Sequence, residues 1–168
     1  MRYLIFSDLH GSAKGLQLLK EAVAKENPDV LLCLGDTLFG AYDDDPHAVA
    51  SFFADSGKTI IGVRGNCDHA YDETVLGISL PYEHILYAFG HRLWLRHAPF
   101  WDEFRGGDIV FYGHTHQKFL GKDRGVITCN PGSIGKPRDG SASYAVLEEG
   151  DLRLMNAEDG TLIESVTL

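Results

Sequence analysis

The sequence predicts an α/β fold in one domain, residues 1–168, and three observations carry that reading. Short continuous apolar runs at Tyr3–Phe6, Val30–Leu34 and Thr59–Val63 have the pattern of strands covered on both faces. The segments between them have helical spacing, so this part of the chain reads βαβαβ, an order that implies parallel pairing with right-handed crossovers. After about residue 80 the texture changes to short strands separated by turn signals, without a long helix.

Each element follows from its residues. Tyr3–Phe6 stops in Ser7-Asp8-Leu9-His10-Gly11. Leu16, Leu18, Leu19, Ala22 and Val23 then recur at helical spacing, with Ser12 placed to cap the N-terminus and Asn27-Pro28 to close the segment. The strand Val30–Leu34 ends in Gly35-Asp36, a second helix is expected over His47–Ala54, and Thr59–Val63 runs into Arg64-Gly65-Asn66-Cys67-Asp68. Ile85–Phe89 and Arg92–Leu95 flank Gly90-His91, read as a two-residue hairpin turn, and the second of these strands ends in His97. An apolar strand from Asp108 runs into Gly113-His114-Thr115-His116. Phe119-Leu120 follows, then Val126–Cys129 leading to Asn130-Pro131-Gly132-Ser133. Tyr144–Leu147, Leu152–Met155 and Leu162–Val166, separated by Glu149-Gly150 and Asp159-Gly160, form a meander that completes the sheets.

Composition narrows the function. Hydrophobic content of 44% and charged content of 23% are those of a globular protein with a sizeable core. A net charge of −9 with no lysine or arginine run argues against a general nucleic-acid binder or an anionic-membrane binder. The N-terminal ten residues meet a charge too early for a signal-peptide apolar region, and no run approaches a membrane span, so a cytoplasmic location is expected. The three cysteines, Cys33, Cys67 and Cys129, lack C-x-x-C spacing, which indicates neither a disulfide framework nor a thiolate zinc site.

The strand ends carry the chemistry. Asp8, His10, Asp36, Asn66, His97, His114 and His116 all follow apolar runs, on the sheet edge where α/β proteins bind ligands. His114 and His116, two apart, would face one point if their segment were extended. Seven oxygen and nitrogen donors exceed one tetrahedral ion and suit two divalent ions sharing a carboxylate.

Asp8-x-His10, Gly35-Asp36, Gly65-Asn66-Cys67-Asp68, His97, Gly113-His114-Thr115-His116 and Asn130-Pro131-Gly132-Ser133 together resemble the ordered motifs of the calcineurin-like metallophosphoesterases, in particular small bacterial and archaeal phosphodiesterases with G-N-C-D. The resemblance implies a four-layer α/β/β/α sandwich of two mixed sheets flanked by helices. It also implies one ion on Asp8, His10, Asp36 and His116 and a second on Asp36, Asn66, His97 and His114, with Asp36 bridging. Asp36, Asn66 and His97 would then be the central catalytic positions. Two such ions can lower the pKa of a shared water and clamp phosphoryl oxygens, so that hydroxide attacks a small phosphodiester in line and phosphate chemistry proceeds near neutral pH. A donor set of histidine, carboxylate and amide fits Mn²⁺ or Fe²⁺ best, with Zn²⁺, Ni²⁺ and Co²⁺ as further candidates.

The chain departs from larger relatives at Phe39, where a further Asp or Asn is common, at Ala98, where glycine is usual after the histidine, and in the short segment 98–112. Cys67 stands where many relatives have a histidine able to protonate the departing oxygen, and reads here as a packing residue. Asp68 and His69 are candidates for orienting a ligand or the substrate. Phe39, Tyr42, Phe100 and Trp101 are loop aromatics able to stack a base or aryl group, or to pack. Arg64, Arg96, Lys136 and Arg138 are read as solvated surface, with contact to phosphate as the alternative, and His47, His84 and His91 as surface or turn residues. The alternative to an enzyme is a scaffold that keeps this fold without catalysis; a homo-oligomer is compatible with either.

Overall fold

The computed structural model describes residues 1–99 and 104–168. In chain order the first part forms β1 (Tyr3–Phe6), α1 (Ala13–Glu26), β2 (Val30–Cys33), α2 (Pro46–Asp55), β3 (Thr59–Gly62) and α3 (Asp72–Leu76). There follow β4 (Glu83–Ala88), β5 (His91–Arg96), β6 (Ile109–Phe111), β7 (Lys118–Asp123), β8 (Val126–Pro131), β9 (Ser143–Glu148), β10 (Asp151–Asn156) and β11 (Leu162–Thr167).

The parallel trio expected from the βαβαβ order is present, with Tyr3 opposite Val30 and Val30 opposite Thr59. The C-terminal meander adds to its other side through antiparallel β1–β9, giving the order β11-β10-β9-β1-β2-β3. The second sheet, β4-β5-β6-β8-β7, is also mixed: β5, β6 and β8 are parallel and the outer two strands antiparallel.

The two-residue period of a strand explains why the first runs are apolar throughout. Leu4, Phe6, Leu31 and Cys33 point to the helices, where Leu16, Leu19, Phe52, Phe53 and Leu76 complete one core. Their neighbours Ile5, Leu32 and Leu34 point the other way, against Leu93, Leu95, Ile109 and Phe111 of the second sheet. Two mixed sheets flanked by helices are thus what the chain builds. Among the described residues the three helices all pack on the six-stranded sheet. On the outer face of the five-stranded sheet, Trp94 packs edge-on against Phe104 of the following loop, with ring centroids 5.5 Å apart.

The caps behave as their residues dictate. Ser12 Oγ accepts from the Gly15 amide at 3.0 Å, Asn27 ends α1 in the left-handed conformation, and Asp45 caps α2 ahead of Pro46. The hairpin differs from the sequence-based expectation by one residue. Ala88 pairs with His91, so the loop is Phe89-Gly90, both at positive φ (53° and 79°), the signature of a type I′ turn. Phe89 accepts that backbone because its ring packs edge-on against Tyr3, 6.0 Å between centroids. The single-turn helix α3, which no periodicity announced, is too short to carry one.

Asp108 is buried immediately before β6 and ties that strand to β5. Its carboxylate accepts from Arg92 Nε and Nη2 at 3.0 and 2.6 Å and from the Arg105 amide at 2.9 Å. The Arg92 hydrogen bond holds the carboxyl below its usual range despite burial. Asp108→Ala should therefore cost about 2 kcal/mol, the worth of losing a charge-assisted pair from a buried position. Urea denaturation checks this, and an unchanged midpoint would show that the clamp contributes nothing.

Candidate metal centre

The C-terminal ends of β1, β2, β3, β5 and β6 converge on one edge of the two sheets. Backbone bonds lace the tips together: the Asp8 amide donates to Gly35 O at 3.1 Å, His10 to Asp36 O at 2.8 Å, and Gly113 to His97 O at 2.8 Å. Asp8, His10, Asp36, His114 and His116 all have φ between 51° and 66°. That left-handed conformation costs a side-chain-bearing residue roughly 1 kcal/mol or more, and such outliers gather where function requires them.

The same fact corrects the expectation for the two neighbouring histidines. They are not in an extended segment and do not face one point. His116 Nε2 lies 3.3 Å from Asp8 Oδ1 and 3.3 Å from His10 Nε2, whereas His114 Nδ1 lies 2.7 Å from Asn66 Oδ1. Between these two ends stands Asp36, whose Oδ2 is 3.6 Å from His10 Nε2 and 3.4 Å from His97 Nε2. His97 Nε2 is in turn 3.0 Å from Asn66 Oδ1. The structure therefore brings all seven predicted donors together, with Asp36 in the middle.

The donors suit divalent cations. His10, His97 and His116 each place Nδ1 within 2.7–2.8 Å of a backbone carbonyl, those of Phe39, Leu34 and Lys136 respectively. Donating there fixes the Nδ1–H tautomer and aims the Nε2 lone pair inward. Asp8 Oδ1 is buried without a hydrogen-bond donor, while Asp8 Oδ2 accepts from the His114 amide at 3.0 Å. An orphaned carboxylate oxygen facing two imidazole lone pairs is a costly arrangement that a cation relieves. Burial raises the pKa of Asp36, but in the metal-free protein a His97 protonated on both nitrogens, donating from Nε2, and the Cys67 amide outweigh it and hold the carboxyl at about 2; a cation would take the place of that Nε2 proton. Burial lowers His97, and Asp36 more than reverses that; burial leaves His116 below its ordinary value.

The loops are fixed by groups the sequence only hinted at. Asp68 is buried and accepts from three amides, Asp36 and Thr37 at 2.8 Å and Gly65 at 2.7 Å, clamping the β2 loop to the β3 loop. Burial raises its pKa, and the three amides offset that only in part. The Cys67 amide donates to Asp36 Oδ1 at 2.7 Å, and Cys67 Sγ accepts from Asn66 Nδ2 at 3.3 Å, which leaves Asn66 Oδ1 to face the histidines. Gly65 has no room for a side chain, because a Cβ would fall on the backbone nitrogen and carboxylate of Asp36. Ser133 Oγ donates to Asp8 O at 2.7 Å, and Asn130 Nδ2 to Gly113 O at 2.9 Å, so Asn130-Pro131-Gly132-Ser133 buttresses two tips from beneath. His69, by contrast, is exposed, and its amide donates to Asp72 at the start of α3; it does not join the cluster. Phe39 and Tyr42 are exposed beside the centre, and Phe100 and Trp101 lie outside the described residues.

The calcineurin-like phosphoesterase superfamily domain matches residues 1–151. Phosphodiesterase YfcE of Escherichia coli K12 is 29% identical, the alignment covering 100% of this chain and 98% of that protein. The solved structure of the E. coli YfcE phosphoesterase superposes with a TM-score of 0.89 at 27% identity, over 99% of this chain and 98% of that one. The probable metallophosphoesterase YsnB of Bacillus subtilis is 31% identical over 88% of this chain and 83% of that protein. Vacuolar protein sorting 29 of Cryptosporidium parvum shares the fold, with a TM-score of 0.71 at 20% identity over 99% and 97% of the two chains.

The Asp68 clamp ranks two substitutions. Asp68→Asn keeps one acceptor oxygen and leaves one amide unpaired, at about 1–3 kcal/mol, whereas Asp68→Ala leaves three unpaired and should cost more. Thermal unfolding of the metal-free protein should place the variants in that order below wild type. Equal stabilities would mean the three amides find other partners.

Proposed function

The chain belongs to the calcineurin-like phosphoesterase superfamily, and from that membership and the geometry of the centre we propose that it is a metal-dependent phosphodiesterase acting on a small phosphodiester. The observation that carries the proposal is the convergence of seven nitrogen and oxygen donors around Asp36, three of the imidazoles with their Nε2 lone pairs aimed inward. Asp8, His10, Asp36 and His116 would hold one ion and Asp36, Asn66, His97 and His114 the other. Manganese or ferrous iron suits this donor set. Two ions there would supply a water of lowered pKa and a clamp on the phosphoryl oxygens.

The chain's own residues do the positioning. Asn66 and His114 lie at the exposed mouth, so a phosphoester enters from their side. Asp8, His10, Asp36, His97 and His116 are buried beneath, where their electrostatic influence is screened least. A binding scaffold would have no need of seven convergent donors, and the likeness to vacuolar protein sorting 29 is one of fold.

Purified protein stripped by chelation and reloaded with Mn²⁺ should regain hydrolysis of bis(4-nitrophenyl) phosphate. Asp36→Ala should lower activity about 10²–10³-fold or more, the scale on which loss of electrostatic stabilisation acts, and should lower metal content as well. Two ions per chain retained by Asp36→Ala in elemental analysis would refute the bridging role.

Cys67 sets a second expectation. Cys67 Sγ is already engaged by Asn66 Nδ2 at 3.3 Å, and thiols are weak hydrogen-bond donors. Without a strong general acid, worth typically 10²–10⁴-fold, rates across substituted phenyl diesters should rise steeply with leaving-group acidity. A shallow dependence in wild type that steepens in Cys67→Ala would identify the thiol as the acid.

A further inference from the structure

Beside Asn66 and His97 opens a cleft of about 320 Å³, lined also by Arg64, Tyr82, Arg96 and Pro99. Its walls are largely apolar. The Arg64 guanidinium lies over the Tyr82 ring, 5.5 Å from Cζ to the ring centroid. Arg64 is not the solvated surface residue its sequence context suggested: its side chain is 20% exposed, and its amide donates to Pro81 O at 2.8 Å. Glu73 lies 3.1 Å from Arg64 Nη2 and is itself anchored by the Leu80 amide at 2.7 Å. Glu83 lies 2.8 Å from Arg96 Nε.

Among the described residues each guanidinium therefore already has a carboxylate. What the cleft offers a ligand is stacking surface, the exposed Tyr82 ring and the Arg64 guanidinium plane beside it. Such surfaces favour planar aromatic groups, because guanidinium and phenol faces stack on π systems and gain little from an alkyl chain. The volume lies within the range of small-molecule sites. Because Asn66 and His97 belong both to the cleft wall and to the proposed second ion site, the cleft opens beside the position that an ester group of a phosphodiester at the centre would take.

We infer that this cleft is the subsite for one ester group of the substrate and that it selects a planar aromatic or heteroaromatic group, an aryl or nucleoside ester, over an aliphatic one. The inference rests on the phosphodiesterase reading, deepening it by substrate class. Tyr82 is the specificity-determining residue best suited to test it, since it is 74% exposed and its truncation leaves both cores intact.

The test separates stacking from leaving-group reactivity by using ligands that cannot turn over. Calorimetric titration of the Mn²⁺-loaded full chain should show phenylphosphonate binding about ten-fold tighter than methylphosphonate, within the range of one stacking interaction. Tyr82→Ala should reduce that preference to about three-fold or less while leaving methylphosphonate affinity unchanged. Arg64→Lys, which keeps the charge and removes the plane, should reduce it as well. Equal wild-type affinities, or a preference untouched in Tyr82→Ala, would overturn the inference. So would an equal loss of both ligands in Arg64→Lys with Tyr82→Ala silent, which would mark the cleft as an anion site. Wild-type hydrolysis of bis(4-nitrophenyl) phosphate is measured alongside: its absence would sink the phosphodiesterase reading itself, whereas its presence with equal phosphonate affinities would sink only the subsite.

Discussion

Two carboxylates, Asp8 and Asp36, are buried together at the edge where the two sheets meet, with candidate ligand atoms of Asp8, Asp36 and His97 all within 4.8 Å of one another. Like charges brought this close in a poorly solvated place are expensive unless something compensates them. Much of the surrounding architecture can be understood as that compensation. Backbone amides donate to Asp8 Oδ2 and Asp36 Oδ1, His97 shares its proton-binding nitrogen with Asp36, and the remaining oxygen of Asp8 is left for a cation.

This requirement explains why the strand tips have such costly backbones. A loop that aims an amide at one carboxylate and a side chain at a shared point must turn sharply, and the left-handed conformations at Asp8, His10, Asp36, His114 and His116 are the result. They persist because the sheets beneath over-determine them. Two fully apolar faces of β1 and β2, one against helices and one against the second sheet, anchor the tips from below. Stability accumulated in the cores is spent at the edge, where the chemistry is.

Legibility from sequence follows the same division. Strands whose residues alternate between two cores read as continuous apolar runs, and the first helix reads from its capping serine and closing Asn27-Pro28, so these elements were visible, whereas the single-turn α3 was not. The donors were visible too, because aspartate, asparagine and histidine are conspicuous after apolar runs. Their orientations were not. Residue spacing placed His114 and His116 on one side, and only the positive φ angles, which nothing in a histidine announces, send them to opposite ends of the centre. The role of Asp68 was hidden because it acts on amides of residues 36, 37 and 65, two of them more than thirty positions away. Tyr82 passed unnoticed because it lies in a loop with no motif around it, its partnership with Arg64 being purely tertiary.

The carbonyl groups that orient the imidazoles have a further implication for how this scaffold can vary. Leu34 O holds His97 and Phe39 O holds His10, while Asp36 lies between them in the chain. One short loop thus sets the aim of a ring at each end of the centre and supplies the carboxylate they share. Insertion or deletion within residues 34–39 would displace all three groups at once, whereas most surface loops absorb such changes individually. Length at that loop is frozen by geometry, and diversification of the chain is pushed to the rim, to segments whose backbone carbonyls orient no ring.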